Sequence, residues 1–482
     1  MNKKIIVGLH LFDHDGNLST YDLDTKEFKY IQFERISGIK YEAHFNLVDW
    51  IPYLHQLGYK NDDVNIICIT KVWMMIYPEI NLQPSFLFKN LEIPPLLIDH
   101  HLAHHFSTEG KNTVVMDGVG SEFDILTIFK EDQQVFKQYT TRNLDSLGKI
   151  LHDCWLDFGF CNKSNSDSTK QDFAGHAMAL YAFGKDYSYL LTEKDNSIET
   201  FKKLTPNKKE YQNDYIHSLH IFWYKILKNI LQKYFNKDEE IKISGGVGHN
   251  IILNTLLKKD FPNLCPTPHC NDGGISTGAL SFILKRIHNI DLKKNNFYQQ
   301  DENFGYASLT TIQKTAEYLK KGKIVMWGQG WGEIGPRALG HRSILMDPCV
   351  PNAKEIINDK IKKRIWFRPY GASVLEGSYK NYFDLDFTSP WMLFQANVKD
   401  PLKFKNITHA DGTCRIQTVN SNNASYFKLL KEFQKLSGYP VLMNTSMNLP
   451  GKPIVGTKKQ AKIMFDNSQA DVLIIGNEVY KK

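Results

Sequence analysis

The sequence predicts an α/β protein built in two successive parts, on three observations. Short β-rich runs alternate with longer segments of helical spacing, a polar and poorly periodic stretch at 288–306 interrupts that alternation, and the alternation resumes beyond it. Residues 4–12 (KIIVGLHLF), 64–70 (VNIICIT), 113–117 (TVVMD) and 241–244 (IKIS) read as strands, each ending near polar or glycine residues. Between them, 215–235 (YIHSLHIFWYKILKNILQKYF) carries helical spacing. The stretch 288–306 is the expected domain boundary. Beyond it 311–322 predicts a helix and 323–327 (KIVMW) a strand, so a second α/β unit is expected from near residue 307. There is no internal repeat, and 161–171 (CNKSNSDSTKQ) reads as a polar loop.

Composition narrows the class. At about 150 residues per domain, 482 residues allow two to four domains. Hydrophobic residues at 42% and charged residues at 23% exclude disordered and collagen-like chains. Lys plus Arg is 59 against 52 for Asp plus Glu, and this excess of +7 is too mild to argue nucleic-acid binding, though it suits small anionic substrates. Cys68, Cys154, Cys161, Cys265, Cys270, Cys349 and Cys414 are odd in number and form no C-x-x-C pair, which fits a reducing cytoplasm. The apolar run from Ile5 is broken by His10, Asp13, His14 and Asp15 with no small-residue cleavage site behind it, so it reads as a first strand. No run of about 18 uninterrupted apolar residues suggests a membrane span.

Four groups of residues carry chemistry. In Asp99-His100-His101-Leu102-Ala103-His104-His105, helical i, i+4 spacing pairs His100 with His104 or His101 with His105 as metal ligands. Spacing does not choose the register, and a polar helix start with capping or solvent-facing histidines is an equal alternative. Asp117 in MDGVG and Asp272 in NDGG are available carboxylates at strand-end loops, and a mixed His/Asp set suits Fe, Mn or Zn better than Ca. Ser244-Gly245-Gly246-Val247-Gly248-His249-Asn250 follows a predicted strand and precedes a predicted helix, where backbone N–H groups approach a phosphate or acyl oxygen; plain tight turns are the commoner reading of such a loop. Gly273-Gly274 before ISTGAL repeats the pattern, and together the two suggest a nucleotide-type site.

The strongest signal is GQGWGEIGPRALGHRSILMDP at 328–348. Arg337 and Arg342 stand five apart among glycines and a proline, which suits a compact loop that binds phosphate through guanidinium forks. Lys362, Lys363, Arg364 and Arg368 follow. Alone they would read as a solvated basic face, and beside GPRALGHRS they read as an anion site. Asn444-Thr445-Ser446-Met447-Asn448 after YPVLM supplies short hydrogen-bonding groups that are also ordinary turn residues.

In combination these motifs resemble a known family. GPRALGHRS, INDKIKKRIWFRPYGASVL, ITHADGTCRIQTV and GYPVLMNTSMNLPGKPIV occur in the order found in the ATP-dependent O-carbamoyltransferases of nodulation-factor and antibiotic biosynthesis. ERISGIK, DHHLAHH, MDGVG, GHAMALYAFG, SGGVGHN and DGGISTGAL agree in the first half. The resemblance implies an actin-like N-terminal part (residues 1–305) of two ribonuclease-H-like halves, similar to the tRNA threonylcarbamoyl-transfer proteins. It implies a YrdC-like α/β part (306–482) that forms carbamoyl adenylate from carbamoyl phosphate and ATP with Mg²⁺. The first part then moves the carbamoyl group to a hydroxyl of a small-molecule acceptor, a sugar, nucleotide or secondary metabolite, with help from a divalent metal expected to be Fe²⁺.

Carried over residue by residue, the resemblance implies His100, His104, Asp117 and Asp272 as metal ligands, which settles the register. His14 becomes the acceptor-side general base, Lys40 a cation near the carbamoyl or phosphate charge, and Gly245, Gly246 and Asn250 the nucleotide holders of the first part. Arg337, Arg342, Lys362 and Arg368 would bind carbamoyl phosphate and the ATP phosphates, with Asn444 and Ser446 completing the pocket. The chain departs from the family pattern at His176, where lysine is usual, at FRPYGAS in place of FRPFAPS, at Ile365 where glutamate is common, and at Gly16-Asn17-Leu18 after His14. It is also shorter than many relatives, which favours a small or mobile acceptor. Threonylcarbamoyl transfer to tRNA and a nucleotide-binding regulator without turnover are the alternatives; neither nucleic acid nor membrane is an expected partner, and a homodimer is one option for the oligomeric state, which lies beyond the sequence.

Overall fold

The computed structural model describes residues 3–11, 14–44, 48–71, 87–141, 145–159, 172–205, 211–292 and 301–482. Asp13, Cys161 with the 161–171 loop, and residues 293–300 of the expected boundary lie outside them.

The first half is organised by two sheets with the same wiring. Strands β1 (Ile5–His10), β2 (Asn17–Asp22), β3 (Phe28–Gln32), β4 (Val64–Thr70) and β5 (Leu96–Ile98) lie in the order β3-β2-β1-β4-β5. The first three pair antiparallel, while β4 runs parallel to β1 and to β5. Strands β6 (Thr113–Met116), β7 (Asp124–Lys130), β8 (Gln133–Tyr139), β9 (Ile241–Ser244) and β10 (Leu264–Pro266) repeat that order and those senses. Three antiparallel strands followed by two parallel ones, given twice, is the expected actin-like pair of ribonuclease-H-like halves. β1 and β4 are apolar almost throughout and buried, as central strands covered on both faces require.

Helices join the halves. His100–Ser107 follows β5 with the Asp99 carboxylate accepting the Leu102 N–H at 2.9 Å, an N-cap that fixes where the histidines begin. It packs against Ile275–His288, and the approach is so close that a Cβ on Gly278 would lie 1.8 Å from the Ala103 carbonyl oxygen. The helix expected at 215–235 spans Tyr211–Tyr234, and the apolar run after SGGVGHN is the helix Ile251–Asp260.

The last part is one nine-stranded mixed sheet. It comprises β11 (Val325–Gly328), β12 (Arg342–Met346), β13 (Gly371–Leu375), β14 (Phe383–Asp384), β15 (Phe394–Val398), β16 (Thr413–Val419), β17 (Val441–Ser446), β18 (Val472–Ile475) and β19 (Glu478–Lys481), in the order β14-β15-β16-β13-β17-β12-β11-β18-β19. The expected helix at 311–322 is Leu309–Lys320, and the expected strand at 323–327 is β11. Asn444 and Ser446 lie within β17 and not in a turn behind it. The two parts are tied together: Asn254 Nδ2 donates to the Leu393 carbonyl at 3.1 Å, Arg35 Nη2 to the Gly335 carbonyl at 2.8 Å, and Phe394 packs in the core of the second half-sheet. No described helix is long and apolar enough to cross a membrane.

Gly278→Leu is expected to force the helices His100–Ser107 and Ile275–His288 apart, with a stability loss of about 1–3 kcal/mol or more from overpacking. Denaturant titration measures it, and an unchanged midpoint would contradict the packing described.

Candidate active site

Four buried donors converge where strand ends of the two half-sheets meet. Suitable atoms of His100, His104, Asp117 and Asp272 all lie within 4.8 Å of one another. His100 Nε2 is 3.0 Å from Asp117 Oδ2 and 3.5 Å from Asp272 Oδ1; His104 Nε2 is 3.7 Å and 3.3 Å from the same two oxygens. The surroundings hold each donor in place. His104 Nδ1 is engaged with the Ser244 hydroxyl at 3.1 Å, which turns Nε2 toward the carboxylates with no hydrogen-bond partner of its own. Asp117 Oδ1 accepts the N–H groups of Gly118 and Gly246 at 2.8 and 2.9 Å, leaving Oδ2 for the histidines. Burial alone would raise both carboxyls, yet the imidazoles hold Asp117 and Asp272 well below the usual carboxylate range. Two imidazole nitrogens and two carboxylate oxygens from four buried residues fit a borderline divalent transition metal.

The neighbouring histidines serve the sheet. His101 Nδ1 lies 2.8 Å from Asp124 Oδ2 and 2.7 Å from the Thr127 hydroxyl, and His105 bridges the Thr113 hydroxyl and Asp132 at 2.9 and 3.2 Å. The alternative of capping or solvent-facing histidines is overturned, because all four are buried.

His14 stands beside this centre. Its Nδ1 is 3.0 Å from Asp15 Oδ2 and 3.9 Å from Asp272 Oδ2, and its side chain keeps 27% exposure, so a ligand in the cavity can reach it. The sequence reading passed over His10, which positions this loop: its Nε2 engages the His14 carbonyl at 3.0 Å and its Nδ1 the Thr70 hydroxyl at 2.7 Å. Asn17, one of the departures from the family pattern, donates to the Asp272 carbonyl at 2.9 Å and so braces a metal-type ligand. Lys40 pairs with Asp172 at 2.6 Å.

The glycine loop does less at the cavity than its motif suggests. Gly245, at φ +86°, presses on the Met116 backbone, where a Cβ would stand 2.1 Å from the carbonyl oxygen, and it is absent from the cavity wall. Gly246 lines the cavity, but its N–H serves Asp117. Asn250 also lines it, while its Oδ1 caps Ile251–Asp260 and its Nδ2 meets His220 Nε2 at 3.0 Å.

A cationic wall lines the same cavity as Asp117 and Asp272. Arg337, Lys362, Arg364, Arg368 and Arg415 line the cavity from the last part of the chain, with Asn444 and Ser446 beside them. Burial, then Arg364, lowers Arg368 to about 9, and burial followed by its arginine neighbours holds Arg415 and Lys362 well below their usual ranges. Lys362 spends its protons on the chain, donating to the Ser446 and Asn448 carbonyls at 2.7 and 2.9 Å and to Asn448 Oδ1 at 2.6 Å, so it offers charge and holds the turn after β17. Arg364 was read only as part of a basic run, and Arg415 was missed; it stands alone between buried Cys414 and Ile416, with nothing in its sequence to mark the cavity. Arg342 does not join this wall. Its Nη1 donates to the Gln329 carbonyl at 2.8 Å, its Nη2 to the Glu302 carbonyl at 2.7 Å, and its guanidinium stacks 3.5 Å from the centroid of Phe304, a structural role that leaves no face for substrate.

Asp117 and Asp272 of the metal-type cluster, His14 and the cationic wall line one cavity of about 940 Å³, with His100 and His104 buried behind the two carboxylates.

Comparison with known proteins places residues 316–482 in the family model described as the carbamoyltransferase C-terminus. An uncharacterised protein of Methanocaldococcus jannaschii is 28% identical over 463 residues, covering 80% of this chain and 74% of its own. The nodulation protein NolNO of Sinorhizobium fredii is 31% identical over 316 residues, covering 59% of this chain and 46% of its own, so the chain spans about half the length of that relative. Among solved structures, full-length HypF in its phosphate- and nucleotide-bound form aligns at 14% identity and a TM-score of 0.34, over 59% of this chain and 56% of that one.

His100→Ala combined with His104→Ala is expected to strip a divalent metal from the purified protein by removing two of four ligands. Elemental analysis reads this directly, and unchanged metal content would overturn the assignment.

Proposed function

We propose that the chain is a carbamoyltransferase, a reading supported by the family match over residues 316–482, and that it transfers a carbamoyl group to the hydroxyl of a small acceptor, with carbamoyl phosphate and ATP as donors. One observation carries the reading: a single cavity is lined both by a group of cationic side chains and by the two carboxylates of a His/Asp metal-type cluster.

The cationic wall answers the first half-reaction. Carbamoyl phosphate and ATP together bring about six negative charges, of which Mg²⁺ offsets two, and attack on the α-phosphorus requires neutralisation and alignment. With water, carbamoyl phosphate gives carbamate and phosphate; a carbamate oxygen then attacks the α-phosphorus of ATP, the bond to the β-phosphate oxygen breaks, and pyrophosphate leaves carbamoyl adenylate behind. Arg337, Arg364, Arg368 and Arg415 hold the phosphates, Lys362 adds charge while fixing the turn that carries Ser446, and Asn444 and Ser446 border the pocket. We assign this step to residues 306–482 and the transfer step to 1–305.

The second half-reaction belongs beside the metal-type cluster. His14 takes the proton from the acceptor hydroxyl as its oxygen attacks the carbamoyl carbon, and the bond to AMP breaks. Asp15 orients the His14 ring by its 3.0 Å contact with Nδ1. His100, His104, Asp117 and Asp272 would hold a divalent metal, which would supply Lewis-acid polarisation when bound. Lys40, restrained by Asp172, adds a cation to the same cavity.

Incubation with ATP, carbamoyl phosphate and a panel of hydroxyl acceptors tests the reading. The expected products are AMP, pyrophosphate and phosphate with a carbamoylated acceptor seen by mass spectrometry, and ATP binding without any of them would identify a non-catalytic binder. Arg337→Ala should cost about 10²–10³ in the rate of adenylate formation, the usual loss when one preorganised charge donor is removed; near-normal turnover would take this loop out of the activation step. His14→Ala should spare carbamoyl-phosphate-dependent pyrophosphate release and block acceptor carbamoylation, whereas loss of both steps would refute the division of labour.

A further inference from the structure

The short helix Phe173–Met178 touches two cavity cations from one edge. At its start Asp172 accepts from Lys40 Nζ at 2.6 Å and from the Tyr41 hydroxyl at 2.9 Å. One turn later His176 Nε2 lies 2.7 Å from Arg368 Nη1. A guanidinium can only donate, so His176 accepts at Nε2 and carries its proton on Nδ1. The ring is held rigidly: it is 3% exposed, and it packs edge-on against Trp155 with centroids 5.0 Å apart. Burial, then Arg368, lowers this imidazole to about 3, so it remains a neutral acceptor.

Neutrality decides what the contact does. A carboxylate at this position would orient Arg368 and cancel its charge, whereas an imidazole orients it and leaves the charge for a ligand. The sequence pattern that the chain resembles usually has lysine here, a cation of its own, and this chain instead holds a cation donated by the other part of the fold.

We propose that His176 is a positioning residue that aims the Arg368 guanidinium into the cavity for the anionic donor. The inference rests on the donor reading given above.

The test compares His176→Gln, which keeps an acceptor near Nε2, with His176→Leu, which removes it, and His176→Glu, which keeps the acceptor and cancels the charge. Arg368→Ala is measured alone and with His176→Leu. KM values for ATP and carbamoyl phosphate, kcat, calorimetric ATP affinity and thermal midpoint are recorded for each. Expected are a rise in KM of about tenfold for a donor in the Leu and Glu variants, with kcat changed much less, and near wild-type values for Gln. The double variant should be no worse than Arg368→Ala alone. Gln as damaging as Leu, Leu or Glu without effect on KM and ATP affinity, or losses that multiply in the double variant would each overturn the proposal. Should Leu fail to fold, Glu against Gln decides. A wild-type protein that forms no carbamoyl-phosphate-dependent AMP would refute the donor reading, while the ATP affinities of the same variants would still decide the role of His176.

Discussion

Mutual repulsion among clustered, half-buried cations is the constraint on which the site depends. Arg337, Arg364, Arg368, Arg415 and Lys362 share one wall, and burial with this crowding depresses Arg337 to about 10 and Arg368 to about 9. Such a wall persists only if each member is held by something that does not neutralise it. The chain does this with backbone carbonyls and neutral acceptors: Arg337 donates to the His249 carbonyl at 3.3 Å, Lys362 to carbonyls of the turn after β17, and Arg368 to an imidazole. The loop presenting Arg337 is fixed from behind by Glu333, whose Oε1 accepts the N–H groups of Leu339, His341 and Arg342 at 2.7, 2.8 and 3.0 Å. An anion placed among these cations would relieve the electrostatic stress that remains, which is the physical basis for reading the wall as a binding surface.

The metal-type cluster is built by the duplicated sheet wiring. Parallel strands of the two half-sheets finish at the same place, and there the chain puts Asp117 after β6, Ser244 at the end of β9 and the His100–Ser107 helix just after β5. Close packing of that helix on Ile275–His288 brings the histidines to Asp272. Acid–base groups and cations thus line one cavity, the arrangement on which the proposed two-step transfer rests.

Much of this was legible in the sequence, with identifiable gaps. β4 and β9 coincide with the expected runs because short stretches rich in Val and Ile, bounded by polar or glycine residues, mark strands even where a single polar residue such as Asn65 or Lys242 interrupts them. Histidine spacing allowed two registers, and the fold uses both, one for the metal-type centre and one to brace the sheet; local periodicity carries no information on which side faces Asp272. Arg342 and Arg415 failed for the same reason in opposite directions. Both lie on strands, where successive residues face opposite ways, so nearness to Arg337 in sequence did not bring Arg342 to the cavity, and isolation did not keep Arg415 out of it. The glycine loop was recognised, but its N–H groups turn partly inward to Asp117, a contact made across 129 residues of chain.

The central claim is that the cationic wall receives the phosphates of both donors. A crystal structure of the protein with carbamoyl phosphate and a non-hydrolysable ATP analogue tests it most directly. The account expects phosphate oxygens within hydrogen-bonding distance of Arg337, Arg368 and Arg415, and Arg342 still engaged with the Gln329 and Glu302 carbonyls. Phosphates bound elsewhere, with those guanidinium groups untouched, would contradict it.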